Sequence, residues 1–232
     1  MKRKKVFKSI YIMVLILAIT GTVISSVFAQ GSNDNFERGI NNVINDMEKG
    51  TLSAEEIEGM LLMREEEKLA RDVYITLYEK WNLKTFESIG QGSETTHMDA
   101  MKNLLDRYGL EDPVGEDIPG VFQNEELQKA YDELVEKGSE SIGDAILVGA
   151  YIEDMDIHDL QRLIEETDNE DIKIVYQNLL KGSRNHLRAF DRQLQRYNIS
   201  YEAQFLTQEE YDRIAASRQE SGGTITDPNY KF

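Results

Sequence analysis

The chain has no cysteine among its 232 residues. Disulfides, thiolate metal sites, cysteine nucleophiles and a lipid-modified cysteine anchor are therefore excluded. Proline is almost as scarce, with three residues at 113, 119 and 228. Long stretches without it leave room for long helices. There are only three histidines, so two of them sharing one structural pattern carries weight. Basic residues are few, 26 Lys and Arg against 43 Asp and Glu, for a net charge of −17. A field of that sign disfavours nucleic acid and anionic membrane surfaces and concentrates cations. Charge excess mostly reports solubility, and it does not by itself establish metal binding.

Long hydrophobic runs are absent except at the start. Lys2, Arg3, Lys4, Lys5 and Lys8 precede an apolar stretch from Ile10 to Ile24, and Val27-Phe28-Ala29 follows. A run of about fifteen apolar residues is short for a hydrocarbon core of roughly 30 Å but normal for a signal peptide. Residues 1–29 are expected to be such a signal, cleaved near Ala29. The mature chain would then be secreted or extracytoplasmic, at the cell surface or in the periplasm, with no stable membrane insertion. An uncleaved signal anchor is the alternative. Residues 1–29 carry five basic and no acidic side chains, so the mature chain holds 21 Lys and Arg against 43 acids, a net −22.

The remainder reads as all-α. Residues 30–52 are polar with a weak amphipathic pattern (Phe36, Ile40, Val43, Met47), fitting a short helix or a linker. Residues 53–200 hold four long helices. The first opens at Ser53, with Glu56 three residues on as a capping box, and runs to about Trp81. The second runs from about Thr85 to Tyr108, where Gly109 suits the position after a helix. The third has Ser141 as N-cap, and the fourth runs from Asp168 or Asn169 to about Tyr197. Short connections make the first and second helices an antiparallel hairpin, and the third and fourth another. Between the hairpins, Gly109 to Glu140 contains both interior prolines and a predicted short helix from Asn124 to Glu136. Two antiparallel hairpins joined by one long crossover is the connectivity of ferritin-like four-helix bundles, though other four-helix proteins share it. Residues 201–232 are expected to form a short helix and, after Ser217, a disordered tail. No repeat of fixed period is present.

Polar residues interrupt every apolar stripe. On the first helix Glu67 lies in the series Met60, Met63, Ala70, Tyr74, Leu77, Trp81. On the second, Glu94 and His97 lie among Phe86, Gly90, Met101, Leu104 and Tyr108. Glu153 and Asp156 occupy the stripe of the third helix, and Ser183 and His186 that of the fourth. All lie near mid-helix, so an antiparallel packing brings four carboxylates and two imidazoles to one level. Isolated buried carboxylates cost several kcal/mol even after relaxation, so four in one layer must protonate, hydrate or bind cations. Two divalent metals would neutralise them, with neutral imidazoles completing the shell. A polar layer satisfied without metal is the competing reading. A phase error of one residue would substitute Glu65 or Glu66 for Glu67. His158, Asp154 and Glu166 fall off the stripes and read as solvated. Asn198-Ile199-Ser200 matches the N-glycosylation pattern, a weak signal.

These residues carry a resemblance. Glu67-Lys-Leu-Ala-Arg-Asp-Val-Tyr74 resembles the first helix of rubrerythrin-type and bacterioferritin-like proteins, Glu94-Thr-Thr-His97 the ligand pair of their second, and Glu153-Asp-Met-Asp156 that of their third. From about Ser53 to Tyr197 the chain is similar to the ferritin-like family known as domain of unknown function 2202. The runs Glu65 to Tyr74 and Gly182 to Phe190 carry that match. The resemblance implies a ferritin-like fold and a di-metal centre, with iron or manganese as cofactor, and by its name no established activity. Ser183 departs from the pattern, standing where related sites have a fourth-helix Glu. Asp156 is then the candidate to supply the missing carboxylate.

The expected ligands are thus Glu67, Glu94, His97, Glu153, Asp156 and His186, with Ser183, Tyr74 and Tyr176 around them. Such a centre would make the chain an oxidoreductase acting on oxygen, peroxide or ferrous iron. The alternatives are a non-enzymatic extracellular protein that the metal stabilises, and an interaction module that kept the fold and uses its acidic exterior.

Overall fold

A computed structural model describes residues 38–232. The basic and apolar segment read as an export signal, including Val27-Phe28-Ala29, lies outside the described residues. Among the described residues the structure is all-α, without strands, and no helix is long and apolar enough to cross a membrane.

Helix α1 covers residues 38–45 and buries Ile40 and Ile44 against the core. Helix α2, Ala54–Trp81, starts as its sequence predicts. Ser53 accepts from the Glu56 amide, and Glu56 in turn accepts from the Ser53 amide at 2.8 Å. Glu56 also takes hydrogen bonds from Thr167 and Asn169, so the start of α2 is tied to the turn at residues 167–169.

The second predicted helix is not one uniform helix. It comprises a short α3, Lys84–Glu87, a π-helical segment Ser88–Glu94, and α4, Thr95–Tyr108. The widened turn has a local cause. Gly90 presses on α2, where a Cβ would lie 3.0 Å from Tyr74 Cβ and 3.3 Å from the Arg71 carbonyl. Thr95 and Thr96 hydroxyls donate to the carbonyls of Gly90 and Gly92, occupying acceptors within the widened turn. Gly109, at φ 72°, ends α4 in the left-handed conformation that glycine adopts without strain.

The crossover carries α5, Glu125–Gly138, capped by the Asn124 side chain. It is fastened to the outer face of α2 by charge. Arg64 grips Asp112 through two nitrogens at 2.9 and 3.0 Å, and Arg71 grips Asp117. Glu65 accepts from the Gln123 and Asn124 amides at the start of α5. Lys68 is fully buried, paired with Asp72, bonded to the Ile118 carbonyl and seated over the Phe122 ring.

Helices α6, Ile142–Glu166, and α7, Glu170–Tyr197, form the second hairpin, followed by α8, Gln208–Ala216. The four long helices α2, α4, α6 and α7 share a core that is divided in two. One apolar cluster includes Met60, Met63, Met101, Leu160 and Leu179, and the other Ala70, Phe86, Ala145, Phe190 and Leu194. Along α2 and α7 the chain passes from the first cluster to the second, and along the run from α3 through the π-helical turn to α4, and along α6, in reverse. Helices α4 and α6 therefore run the same way, which is why the connection between them has to be long.

Two expectations are corrected. Asp154, expected in solvent, is fully buried: it accepts from the amides of Gln204, Phe205 and Leu206 and from the Tyr201 hydroxyl. The tail after Ser217, expected to be disordered from its Gly, Ser and Thr content, lies packed on α7. Glu220 pairs with Arg184 and Arg188, and Asn178 bonds both the amide and the carbonyl of Ile225, which is buried. Buried arginines and a buried amide on α7 need partners, and the tail supplies them.

Candidate metal centre

The boundary between the two apolar clusters is polar. Glu67 from α2, Glu94 and His97 from the end of the π-helical turn and the first turn of α4, Glu153 and Asp156 from α6, and Ser183 and His186 from α7 are all buried. Periodicity placed them on inward faces, and the packing of four helices brings them to one height.

The distances define a chain of contacts. His97 Nδ1 lies 3.1 Å from Glu67 Oε2 and 3.0 Å from Glu94 Oε2. His186 Nδ1 lies 3.0 Å from Glu94 Oε1 and 3.4 Å from Glu153 Oε2. Glu94 therefore bridges the two imidazoles, whose rings stack with centroids 5.4 Å apart. One ligand-type atom from each of Glu94, His97 and His186 falls within 4.8 Å of the others. Tyr74 donates to Glu153 Oε1 at 2.6 Å. Asp156 lies beside Ser183, whose hydroxyl donates to the Leu179 carbonyl of its own helix.

The electrostatics follow from burial and mutual charge. Burial raises Glu67 to about 7, although His97 beside it favours the carboxylate. Burial also dominates at Glu153 and Asp156, with other carboxylates of the layer adding to it at both; Glu153 is raised, and Asp156 lies well above the usual carboxylate range. For His186, burial opposes the charge but Glu94 and Glu153 prevail and push it up to about 10. Burial likewise opposes the charge on His97, and Glu67 and Glu94 hold it well above the ordinary value. Glu94 is lowered despite its burial, because both imidazoles face it. Without a metal, the layer is held by protons shared between carboxylates and imidazoles.

Two observations test whether a cation fits. Glu67 Oε1 and His186 Nδ1 are buried and have no hydrogen-bond partner. His186 Nδ1 is near two carboxylates in distance but not in hydrogen-bond geometry. Such atoms are rare in protein interiors, because an unpartnered buried polar atom costs about 1–3 kcal/mol. The donor set, carboxylate oxygens and imidazole nitrogens without sulfur, is also one that iron and manganese accept. The residues fit a divalent metal.

Some neighbours were not read from sequence. Ser93 Oγ lies 2.8 Å from His186 Nε2 and orients that ring with Nδ1 toward the carboxylates. It sits in the π-helical turn, where α-helical phase no longer predicts direction. Gly182 is a second such residue. A Cβ there would lie 2.3 Å from His97 Nε2, so the ring fits only against a bare Cα. Tyr176, expected beside the layer, is not brought to it. It lies in the other part of the core, near Gly59, and the carboxylates that act on it are Glu56 and Glu66. Seven residues before Ser183 on a straight helix amounts to about 10 Å. Glu66 is buried near Asp159, Glu67 and Arg162, and Glu65 accepts from the Gln123 amide at the start of α5. His158 is exposed, as its position off the stripe predicts.

Fold and site together define a class: an all-α protein whose core is cut at mid-height by a buried carboxylate–imidazole layer. The family described as "Uncharacterized protein domain (DUF2202)" matches residues 56–218, and the chain belongs to that family. It is similar to "Uncharacterized protein MJ0754" of Methanocaldococcus jannaschii, 55% identical over 179 residues, which is 77% of this chain and 96% of that protein. A crystal structure of hypothetical protein MJ0754 from Methanococcus jannaschii matches with a TM-score of 0.74 at 55% identity, covering 75% of this chain and 99% of the other.

Proposed function

We propose that the chain is an exported ferritin-like protein whose buried layer holds a di-iron or di-manganese centre acting on oxygen, peroxide or ferrous iron. The observation that carries this reading is the buried layer of four carboxylates and two imidazoles, in which Glu67 Oε1 has no partner and His186 Nδ1 faces two carboxylates. The helix directions support the ferritin-like assignment, since parallel second and third long helices joined by one long crossover are its topology. The basic and apolar N-terminal sequence ending in Val27-Phe28-Ala29 supports export.

In this reading Glu67, Glu94, Glu153 and Asp156 supply carboxylate oxygens, and His97 and His186 supply Nδ1. A bound iron or manganese would contribute Lewis acidity and one-electron redox chemistry. The rest is done by the chain. Ser93 fixes the His186 ring, and Gly182 leaves room for that of His97. Tyr74 keeps Glu153 in place by donating to one of its oxygens. To hold a cation, each imidazole would have to give up the proton on its ligating nitrogen, since a ligand nitrogen must be unprotonated. The two apolar clusters exclude water from either side, so charges in the layer act through a medium of low dielectric constant.

Elemental analysis of the protein purified from its native host tests the proposal. Two iron or manganese ions per chain, with an optical change on adding peroxide, are expected. Zinc or calcium, with stability lost in chelator, would favour a metal-stabilised structural protein instead. No metal, together with an unchanged melting temperature in His97→Ala and His186→Ala, would overturn both readings.

A further inference from the structure

The layer is not sealed on the side of the imidazoles. A cavity of about 220 Å³ reaches it between α4, α7 and the C-terminal tail. Ser93, Thr96 and His97 line its inner part, Asn185 its side, and Gly222 and Gly223 its outer wall. The cavity thus borders the His97 ring directly and the His186 ring through Ser93, which bonds it.

The outer wall is built as a strap. On one side Glu220 is fixed by Arg184 and Arg188, and its amide and carbonyl are both bonded to the Asn185 side chain. On the other, Asn178 holds both backbone groups of the buried Ile225, and Gln177 holds the Pro228 carbonyl. Between these anchors run Ser221, Gly222, Gly223 and Thr224. Gly222 has φ 103°, a conformation only glycine adopts freely. Residues 221–223 are exposed, and the Lys181 ammonium holds the span by donating to the carbonyls of Gly222 and Gly223 at 3.2 and 2.9 Å. A second cavity of about 350 Å³ adjoins the same segment. Residues 221–223 are therefore exposed and held by one latch, Thr224 beyond them lies against Gly39, and His97 behind the span is only 2% exposed.

We infer that this cavity is the port through which a small polar oxidant, of the size of hydrogen peroxide, reaches the centre, and that residues 221–224 gate it under the Lys181 latch. The inference rests on the metal-centre reading and selects among its substrates. At about 30 Å³ per water, the cavity has room for about seven water-sized molecules. Its mouth carries the Lys181 charge, while Glu220 is neutralised by two arginines. A hydrated divalent cation is repelled there, whereas a neutral or anionic oxidant is not. Ferrous iron would have to enter elsewhere, and the strap that leaves His97 only 2% exposed would hold back a bulky organic hydroperoxide.

Hydroxyl-radical footprinting of the metal-free protein tests the gate with a probe of peroxide size. His97 oxidation is read by mass spectrometry against exposed His158 in the same sample. Lys181→Ala, and separately a chain ending at Glu220, should raise His97 oxidation several-fold with His158 and the helical circular dichroism unchanged. If the shortened chain does not fold, Lys181→Ala decides alone. A His97 rate equal to that of the unmodified protein would overturn the gate. In the metal-loaded protein, hydrogen peroxide should be consumed several-fold faster than cumene hydroperoxide, with the preference reduced in Lys181→Ala. Equal rates would overturn the size limit. A protein that binds no metal would remove the functional reading, while the His97 footprint would still decide whether the strap gates the cavity.

Discussion

Gly182 sits in the middle of a 28-residue helix, where alanine is ordinarily more stable by about 1 kcal/mol. Its presence is explained by His97, whose Nε2 occupies the space of a Cβ. Gly182→Ala should therefore do the opposite of what helix propensity dictates. The ring is displaced, and metal affinity falls by roughly ten- to a hundredfold, the range for disturbed ligand orientation. Isothermal titration with manganese would measure it, and an unchanged affinity would contradict the placement of the ring. Glu66 gives a second test at this scale. Burial first, then Asp159 and Glu67, raise it from 4.5 to about 8, and its Oε2 has no partner. Its folded-state pKa exceeds the unfolded one, so the folded protein bears no penalty below pH 4.5 and the full penalty once pH has passed 8. Glu66→Gln should leave the stability of the metal-free protein nearly unchanged at about pH 4.5. At about pH 9 it should raise that stability by on the order of a few kcal/mol, since each tenfold difference in proton affinity between the two states is worth about 1.4 kcal/mol. Urea unfolding at the two pH values reads the difference.

At the scale of elements, α2 shows how much of a helix can be hidden. Arg64, Glu65, Glu66, Glu67, Lys68 and Asp72 are all buried, and they serve different pieces of the molecule. Arg64, Lys68 and Asp72 hold the crossover, Glu65 holds the start of α5, and Glu67 enters the layer. From this stretch the helical stripe places Glu67 inward, and the crossover folded over α2 buries its charged neighbours as well. Asp154 plays the corresponding part on α6 by accepting three consecutive backbone amides that lead into α8. Asp154→Ala should leave those amides and the Tyr201 hydroxyl without their acceptor. A loss of about 3 kcal/mol or more is expected, since each unpartnered buried group costs about 1–3 kcal/mol. Chemical denaturation measures it, and hydrogen exchange should show residues 201–216 opening first.

For the whole molecule, the divided core matters most. Two apolar clusters supply the hydrophobic stabilisation of the fold, and the layer between them contributes charge that has to be balanced. Protons balance it in the absence of metal, with His186 at about 10 and Glu67 at about 7. Loading the layer with a divalent metal at about pH 7 should release more than one proton per chain, because both imidazoles hold protons that the ligands must lose. A pH indicator in weakly buffered solution detects this. The same titration should raise the melting temperature, by the equivalent of about 4 kcal/mol at a thousandfold excess over Kd. Binding without proton release would mean that the cation sits outside the layer.

What could be read from the sequence was whatever repeats with the helix. Starts at Ser53 and Ser141, ends at Trp81, Tyr108 and Tyr197, and the inward positions of Glu67, His97, Glu153, Asp156 and His186 follow from local caps and a period of about 3.6 residues. These depend on neighbours in the chain, so sequence alone determines them. Ser93 was hidden by the π-helical turn, Gly182 by a ring that comes from another helix, and Asp154 and the tail by partners from distant parts of the chain. The position of Tyr176 depended on height along the bundle, which periodicity does not report. Those were decided by tertiary packing, because a buried polar atom takes whatever partner the folded chain brings within about 3 Å, and no local pattern encodes which one that is.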